Sequence, residues 1–138
     1  MVLKRFMIGI GSIVLMVFCS SFFQAYNLSK SIAAGKTVYE TYCMNCHMVD
    51  GNGTPDVFPP LAKADYLKKP AKDLIGIILK GQTGEVKVNG KIYNGVMPAQ
   101  DYLTDEQIAD VLNYSRNSWG NKIAGTITPA QVKALRQK

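Results

Sequence analysis

The sequence predicts a mostly α-helical domain with about four to five short helices and one small β-hairpin. Three observations carry that expectation. Apolar residues recur at helical spacing in three stretches, near residues 29–42, 70–80 and 104–115. A Thr-Pro pair at 128–129 opens one more short helix. The pair Asn89-Gly90 stands between two short alternating runs. The chain has 138 residues, 47% of them apolar and 19% charged. That is one ordinary domain, and neither a disordered nor a fibrous chain. A polytopic membrane protein and a large multi-step enzyme are excluded as well. The formal net charge is +6. No dense basic arm accompanies it, so a negatively charged protein face suits it better than a nucleic acid.

The first 25 residues read as a leader outside the fold. Lys4 and Arg5 precede an uncharged, mostly apolar run from Phe6 to Phe23. Such a run is a secretory signal or an uncleaved membrane anchor, near the lower length limit for spanning a bilayer. Cleavage candidates are the Cys19/Ser21 and Ser31/Ala33 pairs; Phe23 spoils the one ending at Ala25. Cys19 follows Phe18, where a lipid-modified cysteine wants a small residue. Either fate sends the remainder out of the cytoplasm. Without the two leader cations the exported part is near +4, and a core of that size gains much from a buried cofactor.

Ser29–Tyr42 is the first helix, with Ile32, Val38, Tyr39 and Tyr42 as its apolar stripe and Gly35 as a point of close contact. The stretch from Asp50 to Asp56 is loop chemistry. Phe58-Pro59-Pro60-Leu61 is extended, because each proline steers its predecessor away from helix. Pro70–Lys80 is a short helix with Leu74, Ile77 and Ile78 inward, stopped by Gly81. Glu85–Tyr93 is the hairpin. Thr104 and Gln107 make a capping box ahead of Ile108, Val111, Leu112 and Ser115, with Tyr114 bordering that face. Thr128-Pro129-Ala130-Gln131 starts the last helix, whose inner residues are Val132 and Leu135.

The chemistry is concentrated at Cys43-Met44-Asn45-Cys46-His47. On a helical turn, positions i, i+3 and i+4 share one face. Two thiols so placed can add to two vinyl groups on one side of a haem, and the adjacent imidazole can reach the iron. A thioredoxin-type dithiol would want a βαβ setting. A closed zinc site needs four ligands and finds three. A Cys43–Cys46 disulfide, which export permits, leaves His47 unexplained. Haem c, one per chain, is the reading these residues favour. His47 is the only histidine, so a second imidazole from the same chain is excluded. Among the six methionines, three lie in the leader, Met44 sits inside the motif and Met48 follows His47. The opposite ligand is then a Met, a Lys, a solvent molecule or nothing; the reading favours Met97, in a loop stiffened by Pro98, over the same residue filling the core.

These residues resemble the class I c-type cytochromes from Gly35 to about Asn121. The resemblance rests on Gly35 and Tyr39, the Cys43–His47 motif, Pro59-Pro60-Leu61, Gly95-Val96-Met97-Pro98, and the last long helix with Tyr114. Asn94–Pro98 and Asn113–Asn121 look like bacterial monohaem domains that accept electrons for exported dehydrogenases or reductases. The resemblance implies a cytochrome c fold around one covalently bound haem. It implies a hydrogen bond from His47 to a carbonyl of Pro59 or Pro60, without saying which. It implies that Leu61 packs on the porphyrin, and that Gly35, Tyr39 and Tyr114 mark the crossing of two helices. The expected organisation is 1–25 leader, 26–121 haem domain and 122–138 extension. The hairpin and the tail after Gly120 depart from minimal members.

The expected function is one-electron transfer outside the cytoplasm, in the periplasm, by a protein that is not itself an enzyme. Its expected partners are a redox donor and acceptor, either free or in a dehydrogenase or oxidase complex. No nucleic acid is expected, and a membrane tether through residues 6–23 is open. An open-faced haem enzyme or sensor ranks last, since no distal acid, His or Arg pair accompanies Met97. Seven lysines and three acids between Lys63 and Lys91 form either an acidic-partner docking face or a solvated surface. Trp119 lies either near the haem or in plain packing.

Overall fold

The computed structural model describes residues 26–136. The leader, with its signal or anchor and Cys19, lies outside the described residues. Five helices and one two-stranded sheet follow one another: α1 (Leu28–Tyr42), α2 (Met44–His47), a 3-10 turn (Asp65–Lys68), α3 (Ala71–Lys80), β1 (Val86–Val88), β2 (Lys91–Tyr93), α4 (Asp105–Arg116) and α5 (Pro129–Arg136). The expected helices and hairpin are all present. The 3-10 turn is an addition. Among the described residues, no helix is long and apolar enough to cross a membrane.

Helix α1 starts one residue earlier than expected, because the Asn27 side chain accepts from the Lys30 amide. Its buried positions are Ser31, Gly35, Val38 and Tyr39. Tyr42 was expected in this stripe and is instead 41% exposed. It leans edge-on against Tyr102, with ring centroids 5.9 Å apart. The stripe turns at Ser31 because a buried polar network replaces apolar contact there. Ser31 Oγ donates to Asp110 Oδ1 at 2.6 Å and accepts from Asn113 Nδ2 at 2.9 Å. Tyr26 OH also donates to Asp110. A buried carboxylate without such donors would be costly.

Helices α1 and α4 pack at Gly35. A Cβ there would lie 2.0 Å from the Asp110 carbonyl oxygen and 2.8 Å from Tyr114 Cβ. Only a residue without a side chain permits that approach. Tyr39 and Tyr114 flank the crossing with centroids 5.5 Å apart. Trp119 completes the cluster at 4.8 Å from Tyr39, and its indole N–H donates to the Val49 carbonyl. Trp119 is thus packed within this aromatic cluster. With the Tyr39 hydroxyl donating to the Met48 carbonyl at 2.6 Å, the cluster fixes the chain leaving His47.

The capping box at Thr104 and Gln107 forms as expected, and α4 is buried nearly all round. Its outer side is covered by the tail. Asn113 pairs with both backbone groups of Ile127. Arg116 donates to the carbonyls of Ala124 and Gly125. Ile127 and Val132 are 1% and 0% exposed, and each such burial contributes roughly 1.5–3 kcal/mol. The tail therefore adds to the core. Leu135, expected inward, is only partly buried. Helix α3 shows the same doubling: Ile75 and Leu79 are buried beside Leu74 and Ile78. Ile77, expected in the core, is half-buried because it faces the cleft described next.

Candidate functional site

The site begins where α1 ends. Cys43 caps α1, with its amide donating to the Tyr39 carbonyl. One helical turn follows, closed by the Cys46 and His47 amides on the Cys43 carbonyl at 3.2 and 3.0 Å. Cys43, Cys46 and His47 thus share one face as the spacing requires. Cys43 and Cys46 form no disulfide with each other. Among the described residues, no group of three or more His, Cys, Asp or Glu side chains is arranged to hold a metal ion.

All seven expected site residues line one cleft: Cys43, Cys46, His47, Pro59, Pro60, Leu61 and Met97. Its atom-free space is about 1190 Å³, a figure that takes in the open mouth. The walls are apolar. Leu74, Ile77 and Ile78 come from α3, Val86 and Val88 from β1, Val111 and Leu112 from α4.

The proline left undecided by sequence is Pro59. Its carbonyl lies 3.1 Å from His47 Nδ1. A carbonyl only accepts, so Nδ1 carries the proton. The Nε2 lone pair is then free for a metal. Burial pulls the His47 pKa below the ordinary histidine value, and the Pro59 carbonyl opposes this only in part. The imidazole is therefore neutral, as a ligand must be. Burial, with Cys46 nearby, pushes the Cys43 thiol up to about 11. Burial also raises the Tyr39 phenol above its usual range.

The loop between His47 and Leu61 folds back through two glycines. The Gly53 amide donates to the His47 carbonyl, while the amides of Leu61 and Ala62 donate to the Gly51 carbonyl. At Gly53 (φ +64°) a Cβ would meet the carbonyls of Phe58 and Pro59 at 2.3 and 2.6 Å. The proline carbonyl can thus reach the imidazole only over a glycine.

Met97 is held on a separate segment of the wall. It exchanges both backbone hydrogen bonds with Gln82, at 2.9 and 2.8 Å. The hairpin between them has Asn89 and Gly90 at φ 51° and 83°, the tight turn that Asn-Gly favours. Val86 pairs with Tyr93 and Val88 with Lys91. Its tip is tied to the 3-10 turn by reciprocal bonds between Asp65 and Asn89, at 2.9 and 2.8 Å. The role of the hairpin was not legible from sequence; it supplies cleft wall and braces the Met97 loop. The alternation placing Val86 and Val88 on one face was the available signal. Gln82 gave none, since it acts through its backbone. The seven lysines between Lys63 and Lys91 are all exposed. One of them, Lys91, pairs with Asp56 at 2.6 Å, and another, Lys69, lies over the Tyr66 ring.

The donor set fits a covalently held iron porphyrin: a flat apolar cleft, two thiols on one turn, a neutral imidazole with a fixed tautomer and a thioether. The family model and the sequence relatives agree. The family model described as Cytochrome c matches residues 32–119. Cytochrome c-552 of Thermus thermophilus is 40% identical over 119 residues, covering 80% of each chain. The cytochrome c subunit of the quinone alcohol dehydrogenase from Gluconacetobacter polyoxogenes is 38% identical over 105 residues, covering 74% of this chain and 22% of that subunit. The c-type cytochrome XoxG from Methylobacterium extorquens AM1 aligns with a TM-score of 0.48 at 25% identity, over 78% of this chain and 65% of that one.

The chain belongs to the cytochrome c family. It is a haem c electron-transfer protein, and not itself an enzyme.

Proposed function

We propose that this protein carries single electrons outside the cytoplasm through one haem held by Cys43 and Cys46, with His47 Nε2 and Met97 Sδ as axial ligands. The observation that carries the reading is the Nδ1–Pro59 hydrogen bond, at a site where both cysteines and Met97 line the same cleft. The haem iron supplies the one-electron couple. The chain's residues do the rest. The Pro59 carbonyl fixes the imidazole ring and raises its basicity. Leu61, Leu74 and Ile78 present apolar surface and exclude water, which disfavours the more highly charged ferric state. Gln82 and Pro98 hold the Met97 loop stiff, so that both oxidation states meet the same ligand geometry and little reorganisation accompanies transfer.

In this reading residues 26–121 are the haem domain, 122–138 are an extension whose described part, 122–136, buttresses it, and 1–25 export the chain to the periplasm as a signal or tether. Donor and acceptor are redox proteins, and the exposed lysines of 63–91 favour acidic docking faces. A second reading, a dedicated subunit of a dehydrogenase, is favoured by the similarity to dehydrogenase cytochrome subunits. Purification in mild salt separates the two: a stoichiometric enzyme partner supports the subunit, and a lone monohaem protein the free carrier.

The axial assignment is tested on Met97→Ala. The variant should keep its covalent haem and lose the weak red absorption band of methionine-ligated ferric iron. Survival of that band would remove Met97 from the iron.

A further inference from the structure

The segment that carries Met97 runs on through Asp101, Tyr102 and Leu103 to the start of α4. It is held at one end by Gln82. The other end is held from an unexpected direction, by the last described residue of the chain. The Arg136 guanidinium donates to the Asp101 carbonyl at 2.5 Å, to the Leu103 carbonyl at 2.6 Å and to the Asp105 carboxylate at 2.8 Å. Leu103 is 3% exposed and lines the cleft. Its amide donates back to Gln100, whose own amide donates to the Ile78 carbonyl at 2.7 Å. The contacts form an unbroken series from Arg136 through Leu103 and Gln100 to the residues beside Met97.

We propose that Arg136 is a positioning residue for Met97, and that α5 serves to deliver it. The guanidinium is suited to this because its planar fork satisfies three acceptors at once, which an ammonium cannot do in fixed geometry. Val132, fully buried, anchors α5 beneath it. Without the fork, two backbone carbonyls and a carboxylate turn to water, and the Met97 loop keeps its Gln82 bridge and the Gln100–Ile78 bond but loses the anchor at Asp101 and Leu103. The loop then samples positions with the thioether off the iron. This rests on Met97 being the second axial ligand.

Imidazole competition in the intact ferric holoprotein reads that equilibrium, because imidazole binds only when the thioether has left. Loss of charge-assisted hydrogen bonds of this kind corresponds to about a tenfold or larger change in an equilibrium. Arg136→Ala should therefore tighten apparent imidazole binding about tenfold. Arg136→Lys, which keeps the charge and loses the fork, should give a smaller increase. It also serves as the test variant if Arg136→Ala does not fold. Ser31→Ala weakens the α1–α4 network, whose hydrogen bonds involve neither this loop nor Arg136, and should leave imidazole binding unchanged. The proposal is overturned if the Arg136 variants bind imidazole as wild type does, or if Ser31→Ala matches them. Met97→Ala separates the two levels. If it binds imidazole no tighter than wild type, the axial assignment fails; if it binds tighter and the Arg136 variants do not, only the positioning role fails.

Discussion

Gly35→Ala tests the helix crossing on which the cleft is built. The added methyl would sit 2.0 Å from the Asp110 carbonyl oxygen, 2.5 Å from its carbon and 2.8 Å from Tyr114 Cβ. Two of these atoms are backbone of a buried helix and cannot rotate away. Ordinary contact begins near 3.4 Å, so at the closest atom α1 and α4 must part by about 1.4 Å. Overpacking of this sort costs typically 1–3 kcal/mol, and more when backbone must move. Alanine gains about 1 kcal/mol of helix propensity over glycine, which offsets only part. The expected net loss is about 2 kcal/mol. Gly76 supplies the contrast: it is also mid-helix, and a Cβ there meets nothing within 4 Å. Gly76→Ala should stabilise by up to about 1 kcal/mol. Both variants are compared by chemical denaturation of the holoprotein, followed by far-ultraviolet circular dichroism. A Gly35→Ala protein as stable as wild type would refute the reasoning, as would both substitutions moving stability in the same direction.

Thr104→Ala removes one half of the capping box and should cost about 1 kcal/mol in the same assay; no loss would show the cap to be idle. Burial, helped by the hydrogen bond to Asp110, pushes the Tyr26 phenol up to about 12. Its folded pKa exceeds its unfolded value of 10, so its contribution to stability is complete below pH 10 and is lost as pH rises through about 12. Denaturation midpoints should fall across that window, and Tyr26→Phe should flatten part of the fall. An unchanged slope in Tyr26→Phe would contradict the burial argument.

The shared cleft of the motif and Met97 was legible because so few residues compete for the places proposed for them. One histidine and a short list of methionines leave elimination little room, and the structure brings both to one cleft. The capping box and the hairpin were legible because their signals are local. Asn89-Gly90 needs nothing distant to make its turn. What escaped was long-range. Asp110 reads as the polar side of an amphipathic helix, yet it is buried by partners 79 and 84 residues away. The tail after Gly120 reads as an extension with a short helix and no evident role. Its Ile127 enters the core because Asn113 satisfies its backbone, a pairing no local pattern announces. Tyr42 failed for the opposite reason. Its spacing is right, but α1 ends there and the chain turns into the Cys43 cap, leaving the ring at the surface.

The most direct test is an intact-mass measurement of the purified protein beside a Cys43→Ala/Cys46→Ala double variant. Wild type should exceed the variant by one haem after correction for the two sulfurs, and the mass should survive denaturation and acid extraction. Equal masses after that correction would show that nothing is bound through Cys43 and Cys46, and the account of the cleft would fail with them.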